Sequence, residues 1–187
     1  TGKEDIHQAS DFILSLNRHR TNNLALELPA ASEACFSIEE HVINTAKRIS
    51  RLSQIELADD FDQSARERIE RILKPLWFEV SEFIDMKKKN NPLLGRTLNF
   101  EERWISPSDF GFHNAVEEKE GRLRFIDFEY AGWDDPAKLL CDFSNQPDRL
   151  LDPVLSRELI NNVITKDVNP EFLHSRYLLL EPLYQIK

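Results

Sequence analysis

Through most of this 187-residue chain apolar side chains recur three and four apart, the spacing of helices with one buried face. Between Asn114 and Phe128 that rhythm breaks. Residues 114–118 and 122–128 read as two short extended runs around Lys119, Glu120 and Gly121, a turn composition. One small β hairpin surrounded by helices satisfies both patterns, so the expected class is α+β, mainly α.

The helices follow from local signals. Ile6, Ala9, Ile13 and Leu16 predict a helix over 5–19, with the basic cluster Arg18, His19 and Arg20 at its C-terminus, where the helix dipole favours cations, a phosphate-binding role being the alternative. Residues 22–32 contain Pro29, lack periodicity and read as a loop. Ser37 and Glu40 form a capping box, and Ile38, Val42, Ala46, Ile49 and Ser53 trace one face of the helix it opens. Residues 60–88 carry the longest stripe, Ile69, Ile72, Leu73, Leu76, Val80, Phe83 and Ile84, and Pro75 inside it requires a kink or a break. Arg103 to Ile105 predict a short strand. Asp135 caps a helix opened by Pro136 and running to about Gln146, and residues 153–164 and 170–187 are two more helical patterns.

Composition excludes some partners. A formal charge of −9 argues against nucleic acid, whose binding rests on clustered Lys and Arg, and suits a cationic small molecule. No apolar run reaches membrane-spanning length, so no membrane partner is expected. Cys35 and Cys141 have no metal-like spacing and read as reduced thiols, hence a cytoplasmic setting.

The chemistry concentrates in residues 104–135. Asp109 and Asn114 stand five apart, and Asp127 follows the apolar run Leu123, Phe125 and Ile126 in the stretch I-D-F-E. Phosphoryl transfer uses this order: a loop Asp accepts the acceptor hydroxyl's proton, and an Asn five residues on and a later Asp before Phe hold Mg²⁺ against the nucleotide phosphates. One carboxylate has to stay off the metal to orient the hydroxyl. That assigns Asp109 as base and Asn114 and Asp127 as metal ligands, the alternatives being a loop residue with local Asx hydrogen bonds, a turn residue and a structural carboxylate paired with a neighbour. Glu129, Asp134 and Asp135 are candidates to face a cationic substrate, with a solvated face or a helix cap as the alternative. Asp142 either orients the loop or lies on the surface. His113 either contacts substrate or is a hydrogen-bonded structural residue, and Trp104, Trp133, Phe110 and Phe112 read as core or loop anchors, with stacking platforms as the alternative.

At these residues the chain resembles the aminoglycoside phosphotransferase and choline kinase group of small-molecule kinases, in detail over Trp104 to Pro147. P-S-D-F-G-F-H-N, I-D-F-E-Y-A-G-W and D-D-P-A-K stand where that family has H-G-D-x-x-x-x-N, I-D-F-E and a D-P-A stretch. Pro107 and Ser108 replace its His and Gly. The resemblance implies a protein-kinase-like C-terminal lobe, ATP as co-substrate, Mg²⁺ as cofactor and a hydroxyl-bearing small molecule as acceptor. A non-catalytic kinase-like binding module and a metal-dependent phosphate hydrolase remain as alternatives.

The sequence has no G-x-x-x-x-G-K, no G-x-G-x-x-G and no opening β-rich segment with a phosphate-pairing lysine. In the resembled family those parts form an N-terminal lobe. The chain is therefore expected to be a single C-terminal lobe of a longer protein, folding by itself but inactive alone.

Overall fold

The structure, a computed structural model, describes residues 2–56, 58–147 and 151–186. In chain order the main elements are α1 (Lys3–Arg18), α2 (Asn23–Leu26), α3 (Ile38–Leu52), α4 (Asp60–Arg68), α5 (Lys74–Asn90), α6 (Pro92–Gly95) and β1 (Trp104–Ser106). They continue with β2 (Ala115–Glu117), β3 (Leu123–Phe125), β4 (Gly132–Asp134), α7 (Pro136–Ser144), α8 (Pro153–Ile164) and α9 (Pro170–Ile186). The fold is mainly helical with small antiparallel strand pairs, as the two periodicities require. Lys187, the expected end of α9, lies outside the described residues. No described helix is long and apolar enough to cross a membrane.

The chain forms two compact units, residues 1–36 with 98–177 and residues 37–97 with 178–187. In the first, Ile6, Ala9 and Ile13 of α1 are fully buried, and α8 packs on α1 with Leu159 and Val163 equally buried. Almost all of α7 is buried, from Pro136 to Cys141 and again at Phe143. Asp135 caps it, Oδ1 accepting from the Ala137 N–H at 2.8 Å. β2 and β3 are the expected hairpin, in register Ala115 with Phe125. β1 pairs instead with β4, Ile105 opposite Trp133.

Residues 29–31, expected to be plain loop, add an edge to β4. The Trp133 N–H donates to the Pro29 carbonyl and the Ala31 N–H to the Trp133 carbonyl, each at 2.9 Å. This approach fixes the residue type at 132, where a methyl group would stand 2.4 Å from the Pro29 oxygen and 2.6 Å from the Ala31 nitrogen. Backbone cannot swing aside as a side-chain tip can. Gly132→Ala is therefore expected to cost about 1–3 kcal/mol or more, the range for overpacking, measured by chemical denaturation. Wild-type stability in that variant would mean that residues 29–31 do not pack on β4.

The second unit opens with the predicted capping box: Ser37 Oγ accepts from the Glu40 N–H at 3.3 Å, and Glu40 returns a carboxylate oxygen to the Ser37 N–H at 3.0 Å. The buried face of α3 is Ile38, His41, Thr45 and Ile49, so the expected stripe through Val42 and Ala46 is displaced by one position. His41 is accommodated because its Nδ1 meets the Tyr184 hydroxyl at 2.9 Å. The long helix accommodates Pro75 without breaking: α4 passes through a π-helical turn over Ile69–Leu73 straight into α5, with helical dihedrals at Arg68, Ile69, Leu73 and Lys74, and the proline stands just after the wider turn. The buried stripe is interrupted there. Val80 and Ile84 are buried, whereas Ile72 is 62% and Leu76 40% exposed, against the sequence expectation.

Candidate functional site

Two helix side chains clamp the segment that carries the candidate residues, and both do so through its backbone. Asn17, buried on the face of α1 that continues Ile13, accepts from the Ile105 N–H at 2.7 Å and donates to the Ile105 carbonyl at 3.0 Å. Gln8, two turns earlier, does the same for the hairpin turn, donating to the Gly121 carbonyl at 3.0 Å and accepting from the Leu123 N–H at 2.8 Å. Beneath lies an aromatic cluster. Phe12 contacts the rings of Phe110, Phe125 and Phe128 with centroids 4.8–5.8 Å apart, and Phe143 contacts Phe110 and Phe112 at 4.8 and 5.0 Å. Phe110 and Phe112 are thus anchors, as their type suggested, and Asp109 just before them is left exposed.

Left-handed backbone brackets the site, with φ of 77° at Ser108 and 67° at Asp127. For a non-glycine residue this conformation costs about 1–2 kcal/mol. Ser108 therefore keeps the conformation that a glycine takes freely. It offsets the cost with two bonds, its N–H to Ser106 Oγ at 3.0 Å and its hydroxyl to the Ser32 carbonyl at 3.2 Å.

Asn114 links the other two candidates. Its Nδ2 donates to the Asp109 carbonyl at 2.9 Å, and its own carbonyl accepts from the N–H of Ile126, next to Asp127, at 3.0 Å. With the amide nitrogen committed, Oδ1 is the atom left for a cation, and none of the hydrogen bonds among the described residues uses it. The Asp109 carboxylate is steadied on both oxygens, by Gln146 Nε2 at 3.1 Å and His113 Nε2 at 3.2 Å. The His113 ring lies against Gly111, where a methyl group would come within 2.7 Å of Nδ1, so glycine at 111 makes room for it. Asp127 is exposed and makes no hydrogen bond or ion pair among the described residues. A carboxylate between Ile126 and Phe128 is tolerated without a protein partner because both neighbours are 44–49% exposed and water reaches it.

The three remaining acidic candidates separate. Glu129 is exposed, beside Tyr130. Its hydrogen bond and negative charge raise the Tyr130 phenol above the ordinary tyrosine range, because phenolate is disfavoured next to a carboxylate. Glu129→Gln is expected to bring that titration down, followed by phenolate absorbance with Tyr130→Phe identifying the signal; an unchanged titration would show that the two groups do not meet.

Asp134 and Asp135 do not face a substrate; both are fully buried and occupied. Asp134 Oδ1 accepts from the N–H groups of Cys35 and Asp135 at 3.1 and 2.8 Å, and Oδ2 meets Lys138 Nζ at 2.6 Å. Lys138 also reaches Asp142 at 3.0 Å, so Asp142 is half-buried and paired. Asp135 Oδ2 takes the Arg176 guanidinium at 2.6 Å while Oδ1 caps α7. Burial acts against charge on both members of the first pair, raising Asp134 and opposing ionisation of Lys138. The lysine nonetheless ends above its usual value, because Asp142 and Asp134 together outweigh desolvation. That is the direction the geometry dictates, since a charged ammonium between two carboxylates matches every donor present.

Gln8, Asn17, Gln146 and Arg176 carry no motif in the sequence, and Lys138 enters only as the last residue of D-D-P-A-K, with no role attached to it. The one signal for Asn17 is a polar residue prolonging an apolar helix face. Among the described residues no group of three or more His, Cys, Asp or Glu side chains is placed to hold a metal ion. No protein-family model matches the chain, and a search of curated proteins finds none that matches it.

Proposed function

We propose that this chain is the acceptor- and metal-binding lobe of a small-molecule kinase, transferring a phosphoryl group from ATP to a hydroxyl. The observation that carries this is Asn114: its nitrogen is tied to the Asp109 backbone, its oxygen is unused among the described residues, and its carbonyl holds the strand that delivers the unpaired Asp127. Two hard oxygen donors with no competing partner suit Mg²⁺, which takes one or two protein oxygens and fills the rest of its shell with phosphate and water. When bound there, Mg²⁺ would neutralise the charge of the transferred group.

Asp109 accepts the acceptor's hydroxyl proton as that oxygen attacks the γ-phosphorus, and the bond to ADP breaks. His113 and Gln146 hold the carboxylate in position. Glu129, exposed two residues after Asp127, offers a counter-charge for a cationic acceptor. Because the sequence has no glycine-rich phosphate loop, the proposal includes a second, phosphate-covering lobe of the kind the resembled family carries. The similarity of Ile105–Glu129 to the aminoglycoside phosphotransferase and choline kinase pattern supports this reading, and the left-handed Ser108 supports it further, having a glycine's backbone where that pattern has glycine.

A recognition module without catalysis is the second reading, favoured by the sparse set of ionisable ligands. Nucleotide turnover by the protein together with its phosphate-covering lobe, with and without a panel of hydroxyl compounds, separates the readings. Phosphorylated acceptor is the expected result. No turnover supports the recognition module, and nucleotide hydrolysis indifferent to acceptors supports a hydrolase.

A further inference from the structure

A cavity of about 580 Å³ lies in the first unit, at the C-terminal end of α1 and the start of β1. Its lining includes Arg18, Arg20, Lys166 and Trp104, with Asp11 and Ser15 on the same side of α1. None of the three cations pairs with a carboxylate among the described residues. Arg18 and Lys166 make no side-chain bond there. Arg20 has only two long bonds to carbonyls, Asn17 at 3.5 Å and Glu101 at 3.4 Å, and its guanidinium stands 5.7 Å from the centre of the Trp104 ring. Trp104 is 2% exposed, and its indole N–H is buried without an acceptor. Buried donors are normally satisfied, so an orphan beside a cationic cavity is a second, independent observation.

The bland explanation covers only part of this. A helix C-terminus favours cations, which accounts for Arg18. It does not account for Lys166, which comes from the turn after α8, nor for the indole. Three cations against one carboxylate also run opposite to a chain of net charge −9, so the potential here differs in sign from the molecule's average. The volume falls within the roughly 300–1,000 Å³ of small-molecule sites.

We infer that this cavity binds a small oxyanionic molecule, its phosphate or carboxylate group held by Arg18, Arg20 and Lys166 and hydrogen-bonded by the Trp104 indole. The site is separate from Asp109, Asn114 and Asp127 and stands whether or not phosphoryl transfer is the activity.

The test is the ¹⁵N–¹H resonance of the Trp104 indole in the intact chain, assigned with Trp104→Phe and followed during titration with inorganic phosphate, pyrophosphate or citrate. EDTA is present throughout, so that a metal-dependent nucleotide site cannot contribute. A saturable shift is expected, with the stronger of the phosphate and citrate arms naming the preferred group. Lys166→Gln, at an exposed position that leaves the fold intact, should weaken binding about tenfold or more, the effect of losing a charge-assisted bond, and Arg20→Gln similarly. Asp11→Asn should tighten it, and the Trp133 indole should not move. No saturable Trp104 shift with any of the three probes up to about 10 mM, or an affinity unchanged in Lys166→Gln, would overturn the assignment.

Discussion

Asp109→Asn, in the protein together with its phosphate-covering lobe, is expected to lower phosphoryl transfer by about 10²–10⁴-fold, the usual contribution of a positioned general base, while leaving magnesium–nucleotide affinity nearly unchanged. The asymmetry follows from the placement. The Asp109 backbone carbonyl, not its carboxylate, holds Asn114, so an amide at 109 leaves the Asn114 oxygen where it was. What is lost is the ability to take the hydroxyl proton. Asp127→Asn should behave differently, weakening the metal-bound nucleotide itself, because that carboxylate has no structural partner among the described residues and its removal is felt by the ligand alone. Single-turnover kinetics alongside nucleotide titration distinguish the two. Equal loss of nucleotide affinity in both variants would refute the division into base and ligand.

Arg176→Met should destabilise the fold by about 3–5 kcal/mol, as expected when one partner of a buried ion pair is removed. Asp135 is 0% exposed, and its Oδ2 loses the guanidinium at 2.6 Å while remaining too buried for water to replace it. Against a typical total stability of about 5–15 kcal/mol, that is a large fraction. The cost is one of mismatch. The double variant Asp135→Asn with Arg176→Met should recover most of it, because asparagine retains the oxygen that caps α7 and no longer carries a charge. Chemical denaturation of the three proteins is the measurement. A single variant as stable as wild type would mean that the pair is solvated, and a double variant as unstable as the single one would place the loss in packing around Arg176.

Sequence periodicity carried the helices and the hairpin because those patterns are local: Ser37 and Glu40, Asp135 and Pro136, and the Lys119–Gly121 turn each act within a few residues. The candidate residues were legible for the same reason, their spacing in a loop and a hairpin being a local property. What was hidden depends on distant partners. Asn17 meets Ile105 across 88 positions, Arg176 meets Asp135 across 41, and β1 finds β4 rather than the hairpin. The cap at Asp135 was local, but the full burial of Asp134 and Asp135 was hidden because nothing local shows that Lys138 and Arg176 will be buried against them. The stripe of α3 was misplaced because His41 and Thr45, polar by type, are the residues that go inside. On the long helix the stripe fails at the π turn and just after it, where Ile72 and Leu76 face outward, while Val80 and Ile84 further on keep the expected buried face.

The central proposal is that Asn114 and Asp127 share a cation while the Asp109 carboxylate, held by Gln146 and His113, stays off it, and Mn²⁺, a paramagnetic stand-in for Mg²⁺, tests that in the chain itself. Titration with Mn²⁺ and ADP should broaden the backbone and side-chain NMR signals of residues 109–114 and 126–129 first. The effect should be abolished by Asp127→Asn and retained in Asp109→Asn. Broadening centred elsewhere on the chain, or unchanged by Asp127→Asn, would contradict it.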